Sequence, residues 1–175
     1  MRDPDQTRRF TAKLFQVSFW LLLLTALAFY FSGFLDRRDN PNRHLLQYVQ
    51  HDGPLEVILH RNRSGHYIAP GQINGHDVHF LLDTGATTIS VPERVARQAG
   101  LVPGRTSRVT TASGIVEVYQ TELASVQLGN IRMHQVQAHI NPHMPSDIVL
   151  LGMSFMKNLE MTQRDGVLTL RIPSE

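Results

Sequence analysis

The sequence predicts a mainly β fold: a small closed barrel with one or two short helices, preceded by an apolar N-terminal helix. Short runs with alternating apolar positions follow one another from residue 55 onward, separated by turns that contain Gly, Asn or Pro. Only two short segments between them have helical character. One long apolar stretch stands apart, close to the N-terminus. These three observations together define the predicted fold class.

The N-terminal stretch predicts a membrane anchor. Residues 14–35 contain no charged side chain over 22 positions, and basic residues flank them on both sides. A helix that rises about 1.5 Å per residue would be about 33 Å long here, which matches a bilayer core of about 30 Å. We therefore expect a transmembrane helix. A cleaved signal peptide that ends at Ala26-Leu27-Ala28 is the alternative.

The remaining chain has room for one small domain. The predicted boundaries are a short tail at 1–13, the anchor at 14–35, a polar linker at 36–53 and a folded domain at 54–175. Outside the anchor the apolar content is lean, and a domain of this length supports a single small core. Two large catalytic lobes are therefore excluded.

Alternating apolar positions predict the strands in chain order: 55–59, 67–73, 78–82, 89–91, 107–112, 115–128, 131–140, 148–151 and 167–172. Asn74-Gly75 is a strong hairpin signal between the second and third of them. Short helices are predicted at 92–99, with Gly100 as the stop, and at 153–159. Between 131 and 140 the apolar positions change from odd to even, which predicts a bulge near His134-Gln135.

Composition and charge exclude several function classes. The chain has no cysteine, so disulfides and thiol nucleophiles are excluded. The basic excess lies in residues 1–43, with seven Lys or Arg against four acids, whereas residues 44–175 carry ten against eleven. Without a basic stripe that interleaves with aromatic residues, no nucleic-acid partner is predicted. The nine histidines form no metal-binding motif and no Gly-rich phosphate loop is present, so we predict no metal and no cofactor.

Asp83-Thr84-Gly85-Ala86 is the motif that carries the most chemistry. An apolar strand ends at Asp83, and Gly85 permits a sharp turn, so the carboxylate is held in a rigid and partly dry place. The alternative is a simple turn in which Asp83 accepts backbone hydrogen bonds. Ser154 and Lys157 fit a Ser-x-x-Lys pattern, but its partner motifs are absent, so Ser154 is interpreted as an ordinary helix residue. Asp147 is interpreted as capping a turn.

This motif and its context resemble the retroviral-type aspartic proteases, and more closely the bacterial membrane-anchored retropepsin-like family. The resemblance covers about residues 55–172. It rests on the segments Gly65-His66-Tyr67, Ile73-Asn74-Gly75, Leu82-Asp83-Thr84-Gly85-Ala86-Thr87, Thr111-Ala112-Ser113-Gly114 and Leu150-Leu151-Gly152-Met153-Ser154-Phe155. The resemblance implies an acid-protease barrel in a single-pass protein of the bacterial inner membrane, with the C-terminal domain in the periplasm.

The same resemblance implies roles for individual residues. Asp83 would be the catalytic residue, and Thr84, Gly85 and Ala86 would support its loop, with the Thr84 hydroxyl linking two such loops across a dimer. A hairpin tip would form a flap that closes over a bound peptide. The implied flap and substrate-binding residues are Ala112, Ser113, Gly114 and Ile115.

Because the chain has room for only one small domain, the resemblance predicts a homodimer. Acid proteolysis uses two carboxylates that share one proton: one activates a water as general base, and the other, protonated, polarises the scissile carbonyl. The chain has a single Asp-Thr-Gly, so the second carboxylate must come from another copy. We therefore expect an aspartic endopeptidase that acts on peptide or protein substrates. The alternative is a catalytically inactive module of the same fold that binds peptides or partner proteins at the membrane.

Overall fold

The computed structural model describes residues 4–45, 55–111 and 114–173, and within the first helix it describes the side chains of residues 13 and 15–31. The chain divides into two compact units, Met1–Asp39 and Asn40–Glu175. The first unit is formed by one helix, α1 (Pro4–Asp39). The second unit holds the strands, the short helices and the Asp83 loop.

The first unit corrects the predicted location. Among the residues that the structure describes, no helix is both long and apolar enough to cross a membrane. This finding contradicts the predicted transmembrane helix and the predicted inner-membrane location with a periplasmic domain.

The second unit is mainly β. Two short helices, α2 (Glu93–Gln98) and α3 (Met153–Met156), interrupt its described strands. The strands are β1 (Glu56–His60), β2 (Ile68–Ile73), β3 (His76–Leu82), β4 (Ile89–Pro92), β5 (Thr106–Thr111), β6 (Gly114–Leu128), β7 (Ile131–Asn141), β8 (Ile148–Leu151), β9 (Glu160–Arg164) and β10 (Val167–Arg171).

Six of these strands close a barrel in the order β2-β3-β8-β4-β7-β6. The ring closes where β6 returns to β2, through the pairs Gln72↔Gln127 and Ile73↔Val126. Among the described strands, β5 pairs with β6 alone and so extends outward from the ring as one arm of a hairpin. Pairs β3–β8 and β4–β7 are parallel, and the other pairs of this sheet are antiparallel. The predicted mainly β closed barrel with short helices is confirmed.

A second sheet, in the order β1-β10-β9, packs one face on the core. Val57, Leu59, Leu168 and Leu170 point inward from β1 and β10 and are buried. In contrast, all five side chains of β9 are exposed. Strand β9 was missed by the sequence analysis because its residues give no apolar alternation.

Two turns have the backbone geometry that their sequences predict. Asn74 and Gly75, between β2 and β3, both have positive φ, 50° and 81°, as a two-residue hairpin turn requires. Gly100 has φ 65° and lies just beyond α2, where a left-handed residue ends a helix without steric cost. The positions of both turns were predicted from the sequence.

The predicted bulge at His134-Gln135 takes a different form. Pairs on either side, Leu123↔Val136 and Ser125↔His134, keep the same register, so no extra residue is inserted in β7. Instead, Gln135 adopts φ 53°. On β7 the buried positions change at this point from odd, at Ile131, to even, at Val136, Ala138 and Ile140, so the strand turns its other face to the core. The sequence pattern therefore located the irregularity but not its geometry.

Asn42 binds the segment before β1 to the sheets. Its side-chain amide donates to the carbonyl oxygens of His60 at 2.9 Å and Ile68 at 2.8 Å, and its Oδ1 accepts from the His60 amide at 2.7 Å. Asn42 is 6% exposed, so these three bonds satisfy backbone groups that are shielded from water. It thereby fixes the end of β1 against the start of β2.

Candidate active site

Asp83 is the first residue after β3, at the point where two parallel strands end side by side. Strand β3 pairs with β8 through Leu82↔Leu151, and the Asp83 amide continues this pairing by donating to the Leu151 carbonyl oxygen at 3.1 Å. The backbone of Asp83 is therefore fixed by the barrel, while its side chain is half-buried at the rim. The sequence favours this arrangement because β8 is apolar throughout and β3 ends in the apolar residues Phe80, Leu81 and Leu82.

Backbone groups of the loop hold one oxygen of the Asp83 carboxylate. The Gly85 amide donates to Asp83 Oδ1 at 2.9 Å, and the Ala86 amide donates to the Asp83 carbonyl oxygen at 3.2 Å. A Cβ on Gly85 would lie 3.1 Å from the same Oδ1, a tight contact that glycine avoids. Within the described residues, Oδ2 has no hydrogen-bond partner. One carboxylate oxygen is thus oriented, and the other is available for a further ligand.

Helix α3 holds the far side of the loop. The Met153 amide donates to the Ala86 carbonyl oxygen at 2.8 Å, and the Ser154 amide donates to Thr87 at 3.0 Å. Gly152 precedes these donors and packs directly against the loop backbone: a Cβ there would lie 2.6 Å from the Ala86 carbonyl oxygen. The loop that bears Asp83 is therefore bound to β8 at one end and to α3 at the other.

Ser154 has a structural role in this arrangement. Its Oγ accepts a hydrogen bond from the Ile89 amide at 3.1 Å, which joins α3 to the start of β4. Asp147 lies elsewhere: its carboxylate forms an ion pair with Arg94 of α2. Asp147 thus has a cationic partner away from the Asp83 loop rather than the predicted capping role.

Thr88 and His139 form a second connection between the loop and the barrel, and sequence reasoning did not find it. Thr88 Oγ1 lies 2.6 Å from Nδ1 of His139 on β7. When the neutral ring carries its proton on Nε2, the Thr88 hydroxyl donates to Nδ1. The two residues are 51 positions apart, and neither is part of a motif, so no sequence signal could have paired them.

Burial lowers the pKa of His139, because the partly desolvated ring disfavours the charged form. At pH values between the lowered pKa of His139 in the native protein and its ordinary pKa in the unfolded chain, the unfolded chain therefore binds a proton more readily. We expect the free energy of unfolding to fall as the pH is lowered from about 7 through the ordinary histidine pKa of about 6.5. In His139→Gln the fall in the free energy of unfolding that His139 causes should disappear. Replacement of the exposed His76 by Gln should leave that fall unchanged. Urea unfolding at several pH values measures the difference, and identical pH slopes for parent and His139→Gln would contradict it.

The predicted flap lies on the β5–β6 hairpin. Thr111 pairs with Gly114 at its end, and Thr111 Oγ1 donates to the Gly114 carbonyl oxygen at 2.7 Å. Gly114 has φ 122°, a conformation that favours glycine, and the Ile115 side chain beside it is 71% exposed. The other two predicted tip residues, Ala112 and Ser113, lie outside the described residues.

The predicted loop residues Asp83, Thr84, Gly85 and Ala86 are thus brought together in one turn, with the Thr84 side chain exposed to solvent. Over the described ranges, no group of three or more His, Asp or Glu side chains is placed to hold a metal ion. Supporting groups that the sequence did not identify are the α3 amides and the Thr88–His139 pair. The resulting arrangement presents a rigid, half-buried carboxylate at an open rim.

Comparison with known proteins agrees with this architecture. The solved structure of a retropepsin-like aspartic protease from Rickettsia conorii superposes with a TM-score of 0.55 at 27% identity, covering 66% of this chain and 89% of that one. The barrel with its Asp83 loop therefore has a retropepsin-like fold. Residues 69–158 match the family described as gag-polyprotein putative aspartyl protease. The chain belongs to this family, as the resemblance seen in the sequence implied.

Two curated relatives extend the similarity beyond the matched region. An uncharacterized protein in the cobV 5′ region of a Sinorhizobium species is 30% identical over an alignment of 175 positions, which covers 93% of this chain and 75% of the relative. An uncharacterized protein of Rickettsia prowazekii (strain Madrid E) is 26% identical over an alignment of 166 positions, which covers 89% of this chain and 68% of the relative. Family and fold support a protease.

Proposed function

We propose that this protein is an aspartic endopeptidase in which Asp83 activates the attacking water, at a site that two copies of the chain complete. The observation that carries this proposal is the Asp83 carboxylate itself. It is fixed at the barrel rim by the Gly85 amide on Oδ1 and by β8 through its backbone, while Oδ2 remains available. A rigid carboxylate with one free oxygen is what a general base for water requires.

The chemistry needs a second carboxylate, and we assign it to Asp83 of another copy. The ionised Asp83 takes a proton from water as the water oxygen attacks the peptide carbonyl carbon, and the protonated carboxyl donates its proton to the carbonyl oxygen. In the next step a carboxyl protonates the amide nitrogen, the C–N bond breaks and the diol returns one proton to the carboxylate pair. The pair therefore ends with the single proton with which it started.

The remaining loop and flap residues have supporting roles in this proposal. The exposed Thr84 hydroxyl is free to link the two loops across the two-fold axis, as the family resemblance implies. The flap residues Ala112, Ser113, Gly114 and Ile115 would cover a bound peptide, and the exposed Ile115 side chain offers it an apolar contact. No cofactor and no metal take part.

Incubation of the full-length protein with a mixed peptide pool tests the proposal. We expect internal cleavage with a bell-shaped dependence on mildly acid pH, because the rate falls when both carboxylates are ionised and when both are protonated. A statine-type inhibitor, whose hydroxyl mimics the tetrahedral intermediate, should block cleavage, whereas a metal chelator and serine-directed reagents should not. Peptides that bind but remain intact over this pH range would instead support the non-catalytic module.

A further inference from the structure

An open cavity lies beside the Asp83 loop, between β7 and α3. Its volume is about 680 Å³, within the range of pockets that bind small molecules. Residues 133–137 of β7 line one side of the cavity, and residues in and just after α3 line another. Thr87 and Thr88 of the loop complete the lining. Asp83 is not among the lining residues, so the proposed catalytic step makes no use of this cavity.

The irregular backbone of β7 borders this cavity. Gln135 has φ 53°, a left-handed conformation that glycine and asparagine adopt much more readily than glutamine does. Around this residue Met133 stays half-buried at the cavity, whereas Val136 is buried. Backbone strain of this kind is concentrated at sites where proteins bind ligands. The strand therefore departs from regular geometry where it lines the cavity.

The cavity combines apolar walls with a single lysine. Met133, Val136 and Met153 supply the apolar surface, and methionine side chains adapt to apolar groups of different shapes. Among the described residues that line the cavity, none is acidic, and Lys157 contributes an ammonium group. The lining therefore suits a molecule with an apolar body and an anionic end.

Some polar groups of the cavity already have partners, and others are available to a ligand. Thr88 is hydrogen-bonded to His139 at 2.6 Å, and Ser154 Oγ accepts from the Ile89 amide at 3.1 Å. The lining side chains that make no hydrogen bond or ion pair within the described part of the chain are Thr87, Gln135, Lys157 and Asn158. All four can donate a hydrogen bond, so together they suit an anion with acceptor oxygens.

The cavity also borders the hydrogen bonds that hold the Asp83 loop. The Met153 amide donates to the Ala86 carbonyl oxygen at 2.8 Å, and the Ser154 amide donates to the Thr87 carbonyl oxygen at 3.0 Å. Met153, Ser154 and Thr87 all line the cavity. A molecule bound there would contact α3 and the loop at once and would oppose the opening of these bonds. Occupation of the cavity should therefore stabilise the loop that carries Asp83.

We propose that this cavity binds a small amphipathic monocarboxylate and that binding stabilises the Asp83 loop. The apolar part of the ligand packs against Met133, Val136 and Met153, and its carboxylate lies at Lys157. One ammonium group among neutral donors matches a single carboxylate, whereas a phosphate is bound more strongly where arginine supplies paired donors. Binding of this ligand does not depend on the proposed proteolysis, so each proposal can fail without the other.

Protection of Lys157 from acetylation tests the site, with octanoate as the probe. The chain has two lysines, Lys13 and Lys157, so mass spectrometry can follow each of them separately. The full-length protein carries Asp83→Asn, so that no outcome depends on proteolysis. At about nine times its half-saturating concentration, octanoate should slow the acetylation of Lys157 about tenfold, because it covers the ammonium group in nine of ten molecules. Acetylation of Lys13 should be unchanged.

Two further probes separate the parts of the ligand. Octanol has the apolar chain without the charge, and acetate has the charge without the chain, so neither should protect Lys157 at the same concentration. Lys13 belongs to α1, whose described apolar side chains are exposed, and it therefore reports unspecific binding of octanoate there. No protection of Lys157, equal protection of both lysines, or equal protection by octanol would overturn the proposal.

Substitutions at Lys157 test the contact with the carboxylate. Calorimetric titration with octanoate should show about fivefold weaker binding to Lys157→Gln, whereas Lys157→Arg keeps the positive charge and should bind nearly as the parent does. Arg132→Gln is the matched control, because it removes an exposed charge from β7 outside the cavity. Equal weakening in Lys157→Gln and Arg132→Gln would show an effect of net charge alone and would contradict the assigned site.

Amide hydrogen exchange measures the effect on the Asp83 loop. The ligand must leave before the bonds from Met153 and Ser154 to the loop can open. At about nine times the half-saturating concentration of octanoate, exchange of these two amides should therefore slow about tenfold. Exchange in β10, which does not border the cavity, should stay the same. If octanoate binds but exchange of the two amides is unchanged, the proposed link between the cavity and the loop is wrong.

Discussion

Asp83→Asn is expected to lower the rate of peptide cleavage by about a thousandfold or more while leaving the barrel folded. Asparagine keeps the shape of the side chain and can still accept the Gly85 hydrogen bond through its amide oxygen. It cannot take a proton from water at the working pH, so both copies of the site lose their general base. The measurement is kcat/KM on a peptide that the parent protein cleaves, together with the unfolding curve of each variant.

Asp165→Asn is the matched control for this substitution. Asp165 lies in the exposed turn between β9 and β10 with φ 51°, a conformation that asparagine adopts readily. Its side chain is 90% exposed to solvent. This variant should cleave as fast as the parent. If Asp83→Asn also retained the parental rate, Asp83 would not be the catalytic residue.

Gly152→Ala is expected to lower the free energy of unfolding by about 3 kcal/mol, more than Gly65→Ala. Gly152 is buried, and an added Cβ would collide with the Thr88 carbonyl oxygen and lie 2.6 Å from that of Ala86. Both obstacles are backbone atoms of the Asp83 loop, which cannot move away as a flexible side chain could. The loop must therefore shift, and cleavage should fall together with the free energy of unfolding.

Gly65→Ala separates this steric effect from the general cost of replacing a glycine. A Cβ at Gly65 meets nothing within 4 Å, and only its positive φ of 87° penalises alanine, by about 1 kcal/mol. Urea unfolding of both variants measures the contrast, and Gly65→Ala should retain the parental cleavage rate. Equal losses of stability at the two positions would contradict the claim that the close contact of Gly152 with the loop backbone makes alanine costly there.

The barrel was predictable because its strands alternate between buried and exposed side chains. Strands β2 and β3 and the Asn74-Gly75 turn carry this signal strongly, since one face of each strand is buried and the turn demands positive φ. Strand β9 carries no such signal, because all of its side chains are exposed and its pairing depends on backbone groups alone. Sequence patterns that depend on burial cannot reveal an element that buries nothing.

Some features of the candidate site could likewise be predicted from the sequence, and others could not. Asp83 and Gly85 were predictable because an apolar strand followed by Asp-Thr-Gly is a local pattern in the sequence. The contacts that hold the loop were not predictable, since the Met153 amide and the Thr88–His139 pair join segments far apart in the chain through the folded barrel. The N-terminal prediction was wrong in its location, since no membrane-crossing helix is found among the described residues.

Dilution of the parent protein with the Asp83→Asn variant tests the shared site most directly. If each active site needs an Asp83 carboxylate from both copies, the activity per parental chain falls in proportion to the parental fraction, because most parental chains then pair with an inactive one. With about a ninefold excess of the variant, after the subunits have exchanged, we expect about a tenfold loss of activity per parental chain. Unchanged activity per parental chain would contradict the account, because each chain would then contain a complete site of its own.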